Sequence, residues 1–224
     1  MRFPRHLSGV GDEVWAKREH LTRIVEFARE LTRKHGLKLS VRVADTPRGC
    51  RVMGLDVADW VKRDLVDFVT VSEFLDTNYQ MPIAEFRAMF GPRMPIYASM
   101  EIEHGWQHHN PESLRGAATG LYDCGADGIS LFNFVSHWEF GTVPYDWIAG
   151  LESPATAARK PLLFSVPDMK YRKEMDQPGL LPVQVPAHSA VTLPLPVPRP
   201  ALPAWRARLL VIADAPLVAS LDGH

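Results

Sequence analysis

Four short runs rich in Val, Ile, Leu and Phe return at a regular interval, and that interval limits the fold more than any single motif. They are residues 38–43 (KLSVRV), 66–71 (VDFVTV), 95–100 (PIYASM) and 128–134 (GISLFNF). A new run begins about every 30 residues, the length of one strand, one helix and two loops. The stretches between them carry helical signals. Residues 19–35 set Leu21, Ile24, Val25, Ala28 and Leu31 on one stripe, predicted to face a core, with Gly36 as the stop. Residues 55–63 form a shorter helix. Residues 82–90 open with Pro82 and close before Gly91-Pro92, and residues 111–124 open with Pro111 and an acidic first turn and exit at Gly125. Strand and helix in alternation predict an α/β fold of parallel strands joined by right-handed crossovers, with helices outside.

The pattern changes after about residue 150. Pro182, Pro186, Pro194, Pro196, Pro198, Pro200 and Pro203 crowd one stretch, and helical periodicity disappears. Val191, Leu193, Leu195 and Val197 alternate with Thr192, Pro194 and Pro196, and Trp205, Ala207, Leu209 and Val211 alternate with Arg206 and Arg208. Proline cannot donate to a central ladder, so these are edge-type strands of a small antiparallel β module, or else a semi-rigid linker. The expected division is residues 1–150 for the α/β domain and 151–224 for a linker and an incomplete β-sandwich-like module.

Charge narrows the partners. Against 25 Lys+Arg stand 26 Asp+Glu, a net charge of −1, so no global basic face favours nucleic acid. No run of about 18 apolar residues exists, and residues 1–20 lack the continuous apolar core of a signal peptide, so neither a membrane span nor an export signal is visible. Cys50 and Cys124 match no metal-knuckle spacing and are expected as two buried thiols rather than one disulfide. No GxSxG elbow, GxGxxG fingerprint or phosphate-cradling loop is present; Gly116, Gly120 and Gly125 are too scattered for one. No cofactor is expected.

Three stretches together carry a likeness: MRFPRHL at the start, LKLSVRVADTPRGCRVMGLDVADWVKRDLVDFVTVSEF in the middle, and LRGAATGLYDCGADGISLFNF later. Over roughly residues 1–140 the chain resembles the second half of the glycosyl-hydrolase-like family 10 barrels, in the order and spacing of its strands more than in one diagnostic motif. In that family an Asp-x-x-Arg-Phe/Tyr-Pro sequence ends a central barrel strand. Met1-Arg2-Phe3-Pro4 matches its tail, and the aspartate would precede Met1. The resemblance implies a partial (β/α)8 TIM barrel of four to five βα units, followed by the β module. Length agrees, because a complete barrel takes about 250 residues. Two expectations follow: an open half-barrel completed by a second copy or another chain, or a fragment of a longer protein. Either has exposed parallel edges, which are templates for association, so a homo-oligomer through the open edge is expected.

Parallel barrels keep their chemistry at the carboxyl ends of the strands. Read in order, those ends offer Arg2 and His6, Arg42 and Asp45, Ser72 and Glu73, Glu101 with Glu103 and His104, and Asn133 with His137 and Trp138. Glycoside hydrolysis needs two carboxyl groups. Glu101 ends the strand where the related barrels place the nucleophile; Glu103 shares its strand parity, and Glu73 and Asp45 are further candidate carboxylates. Arg2, Arg42, His104, Trp106, Asn133 and Trp138 are candidate substrate contacts, with flat rings such as Trp106, Trp138, Tyr79 and Phe134 able to stack on a pyranose face or simply to pack. The acid expected from the fourth strand would precede Met1, so the chain alone is expected to be inactive. His104, His108 and His109 beside Glu101 and Glu103 raise a metal-dependent hydrolase as an alternative, although HExxH is absent and no metal ligand set is assigned. The expected function is hydrolysis of O-glycosidic bonds in a polysaccharide by the intact enzyme; a non-catalytic carbohydrate-binding or structural barrel is the other reading.

Overall fold

The computed structural model describes residues 11–73, 77, 79, 81–101, 109–132, 134, 145–166, 181, 183–195, 197–198, 208 and 218–219. Its centre is a four-stranded parallel sheet of β1 (Ser40–Ala44), β2 (Phe68–Ser72), β3 (Ile96–Glu101) and β4 (Gly128–Phe132), in the order β1-β2-β3-β4. Helices α1 (Asp12–Ala16) and α2 (Arg18–Lys34) precede the sheet. α3 (Pro47–Val52) and α4 (Val57–Lys62) join β1 to β2, α5 (Ile83–Phe90) joins β2 to β3, and α6 (Pro111–Asp123) joins β3 to β4. A 3-10 turn at Tyr145–Ile148 and α7 (Pro154–Ala157) follow. All four strands fall within two residues of the positions expected from the apolar runs. Among the described residues beyond 160 no strand forms, and residues 199–207 and 209–217, where much of the expected β module falls, lie outside the described residues.

Helix starts follow local chemistry. Thr46 Oγ1 accepts the Gly49 N–H at 3.0 Å ahead of Pro47, and Asp56 caps α4 through the Asp59 N–H. At α6, Asn110 and Ser113 exchange side-chain and backbone hydrogen bonds in a full capping box, again with proline at the first turn.

Alternation along the strands separates two faces. Val41, Val43, Val69, Val71, Ile96, Ala98, Met100, Ile129 and Leu131 share one, and it packs with Trp60, Ile83, Phe86, Leu114, Ala117 and Leu121 into the core. Val69, Val71, Ile96, Ala98, Met100 and Phe86 are wholly buried. Arg42, Thr70, Ser72, Tyr97, Ser99, Glu101, Ser130 and Phe132 share the other. The strand order never reverses, and right-handed crossovers that always step the same way deliver every connecting helix to the same face.

The long helix α2 turns only part of the expected stripe inward: Val25 is buried and Leu21 packs against the core, but Ile24 and Leu31 do not. Thr22, Val25 and Arg29 are its buried residues, whereas Ile24 and Leu31 are 53% and 43% exposed. Polar partners set that rotation. Thr22 Oγ1 accepts the Trp60 indole N–H at 2.9 Å, and Arg29 reaches Asp67 at 2.6 Å and the Asp64 carbonyl at 3.1 Å. Buried donors such as an indole N–H and a guanidinium have to be satisfied, while an exposed leucine costs little.

Asp67 and Asp127 play the same part in two strand pairs, β1 with β2 and β3 with β4. Each stands one residue before a strand. Asp67 accepts the Leu39 N–H at 2.6 Å and pairs with Arg29; Asp127 accepts the Ile96 N–H at 2.7 Å and pairs with Arg87 at 2.6 Å. Their own N–H groups donate back to the Leu39 and Ile96 carbonyls, both at 2.8 Å. One carboxylate thus ties the amino ends of two neighbouring strands to the preceding helix.

The segment after β4 lies against α6. Tyr122 donates to the Leu151 carbonyl at 2.9 Å, Arg115 to Pro161, and the Leu163 N–H to the Glu112 carbonyl at 3.0 Å. Gly116 and Gly120 allow these close approaches: a Cβ on Gly116 would overlap the Leu163 carbonyl, and one on Gly120 would stand 2.8 Å from the Tyr79 carbonyl. Helical glycines that offered no cofactor loop in the sequence therefore have a packing role. Cys50 and Cys124 are both free thiols, Cys50 buried and Cys124 half-buried.

Candidate functional site at the carboxyl end of the sheet

Three carboxylates gather at the carboxyl ends of adjacent strands. Asp45 follows β1, Glu73 follows β2, and Glu101 closes β3; they are 0%, 3% and 3% exposed. Carboxylates are seldom buried this deeply unless partnered, so three at one end of a sheet set that end apart.

Only one of the three lies within a strand. Glu101 lies in register with Phe132 and shares the face of Ser99, Ser72 and Ser130. Asp45 and Glu73 each stand one residue past the paired Ala44 and Ser72, beyond the ends of their strands. Cys50 of α3 lies near Asp45. Burial pushes the Cys50 thiol up to about 12, its hydrogen bond to the Ala44 carbonyl opposes this, and the nearby Asp45 charge raises it further.

The face that Glu101 shares is curved. Arg42 of β1 holds its guanidinium 3.6 Å from the ring centroid of Phe132 on β4, three strands away. On a flat sheet those strands would be about 14 Å apart, and side chains leave a sheet roughly at right angles. Their meeting reports a face that curls inward, with a cation–π contact across its mouth. Deeper on that face, Phe68 and Tyr97 meet edge to face at 5.4 Å, and Thr70 and Ser72 are buried. Ser99, 1% exposed, has a buried Oγ with no hydrogen-bond partner among the described residues.

His109 anchors the end of β3. It is buried, with Nε2 2.9 Å from Thr77 Oγ1 and Nδ1 3.0 Å from Ser113 Oγ. Thr77 Oγ1 in turn donates to the Glu101 carbonyl at 2.9 Å and accepts the Glu101 N–H at 3.1 Å. Both ring nitrogens are thus held by hydroxyl groups that can donate or accept, and the direction of each bond follows the tautomer. Burial pushes the imidazole down to about 4, with the Glu101 carbonyl pulling the other way, so the ring is neutral near pH 7. Sequence reading placed His109 only in a histidine-rich loop. The Asn-Pro-Glu-Ser run after it was the available signal, since a capping box at Asn110 fixes where His109 must stand.

Of the other expected site residues, Arg2, Glu103, His104, Trp106, Asn133 and Trp138 lie outside the described residues, as do His6, His108 and His137. Tyr79 is a core residue at 2% exposure, and Phe134 packs edge to face on Tyr145 at 5.4 Å. Among the described residues no group of three or more His, Cys, Asp or Glu side chains is placed to hold a metal ion, and no helix is long and apolar enough to cross a membrane. No protein-family model matches the chain, and no curated protein matches it.

Proposed function

We propose that the chain is part of a (β/α)8-type barrel and that its intact form hydrolyses O-glycosidic bonds in a polysaccharide, with Glu101 as the carboxylate at the reacting centre. Two features support the barrel. The strands run in unbroken sequential order with helices on one face, as in a singly wound barrel, and Arg42 meets Phe132 across the inward-curling face. The observation that carries the function is Glu101, buried at the carboxyl end of β3 on that concave face and locked at its backbone by Thr77 and His109. Asp45 and Glu73 are buried just past the ends of β1 and β2, at the same end of the sheet. Glycoside hydrolysis needs a second carboxyl group across the sugar, for which Glu73, Asp45 and Glu103 stand as candidates beside an acid from the fourth barrel strand.

The test is hydrolysis of a panel of polysaccharides by the intact protein and by Glu101→Gln. Loss of at least about 100-fold in kcat with bound polysaccharide retained is the expected result. Unchanged hydrolysis removes Glu101 from the reacting centre. Retention of a polysaccharide by both forms with cleavage by neither assigns the concave face to carbohydrate binding alone.

A further inference from the structure

Ser72, Ser99 and Ser130 occupy one register row across β2, β3 and β4, on the same face as Glu101. We propose that this row holds an internal water molecule, bound by Ser99 Oγ between its two neighbouring serines, directly below Glu101. The Ser99 hydroxyl is buried with no protein partner among the described residues, an arrangement that costs free energy unless something else accepts or donates there. A buried water takes two to four polar partners, and the row supplies three hydroxyls. The spacing also fits. Neighbouring parallel strands stand about 4.8 Å apart, too wide for one hydroxyl to bond the next but close to the roughly 5.6 Å that one water spans between two oxygens. Ser72 already gives its proton to the Glu73 carbonyl at 2.8 Å, so it faces the row as an acceptor, while Ser130 is half-buried and closes the other side.

The consequence for Glu101 rests on the function proposed above; the water itself does not. Ser99 and Glu101 are two residues apart on one strand and one face, so the water stands on the buried side of the carboxyl. From there it is placed to donate a hydrogen bond to the carboxyl of Glu101, which is 3% exposed.

A crystal structure of the whole chain at about 1.5 Å, wild type and Ser99→Ala, tests the site. The expected result is one solvent peak about 2.7–3.0 Å from Ser99 Oγ in the wild type and no peak there in the variant. An empty row, or a Ser99 hydroxyl bonded to a protein carbonyl, overturns it. The link to Glu101 is read separately by a carbon-13 titration of its carboxyl in wild type and Ser99→Val. An upward shift in the variant is expected, and an unchanged midpoint overturns the contact. If the water is found while Glu101→Gln still hydrolyses polysaccharide, Glu101 leaves the reacting centre and the water site stands.

Discussion

His109 shows how one side chain joins chemistry to stability. Its ordinary value is 6.5, and burial holds it at about 4 in the folded protein. Between those values the unfolded chain takes up a proton that the folded protein refuses. Stability is therefore full above about pH 6.5 and is lost as pH falls toward 4, by up to ~3 kcal/mol. Urea unfolding of the wild type across that range should show the decline. His109→Gln keeps an amide in place of the ring but cannot titrate, so its unfolding midpoint should be flatter over the same window; equal slopes would remove His109 as the source. Glu101 was legible in the sequence as a strand-end carboxylate, whereas its bond to Thr77 was not. Those two residues are 24 apart, and a loop has to fold back before they can meet.

At the scale of elements, the repeated Asp–Arg tie makes a comparison possible. Asp67 sits lower than an ordinary carboxylate: burial alone would raise it, but the Leu39 N–H and the Arg29 guanidinium outweigh that. Its contribution is present above the unfolded value of about 3.9 and is lost as pH falls through the lower folded value. Asp67→Asn should destabilise the protein by ~1–3 kcal/mol, because it leaves Arg29, 9% exposed, without its charged partner. Asp127→Asn should cost less, since Arg87 and Asp127 are 27% and 46% exposed and water replaces much of the pair. Equal losses in urea titrations would show that burial of the arginine does not set the difference. Gly116→Ala offers a second check. Alanine favours a helix by about 1 kcal/mol in an open position, yet here its Cβ meets the Leu163 carbonyl, so the melting temperature should fall rather than rise. The helix α2 was visible as a helix from its periodicity, and Leu21 and Val25 of its inward face with it, but not the rest: Ile24 and Leu31 stood out as apolar, and Thr22 and Arg29 became buried through partners 38 residues away.

For the whole molecule, the sheet ends in two parallel edges. β1 and β4 each have one neighbour among the described residues, and Ile24 and Phe27, 53% and 63% exposed, lie on the helix that precedes β1. Unpaired edges and an apolar helix face both favour association. Light scattering over a hundredfold range of concentration should show self-association, and a mass fixed at 25.1 kDa throughout would show that the edges are covered within the chain.

The order of strands and helices was determined by the sequence alone, because an apolar run returning about every 30 residues with capped helices between leaves parallel βαβ units as the way to bury all four runs. The carboxylates, too, could be assigned to strand ends from their position in each run. What surrounds them was decided only by tertiary structure. Register and curvature bring Arg42 to Phe132 and put Glu101 on one face with Ser72, Ser99 and Ser130, and both depend on hydrogen bonds between strands that are about 30 residues apart in the chain.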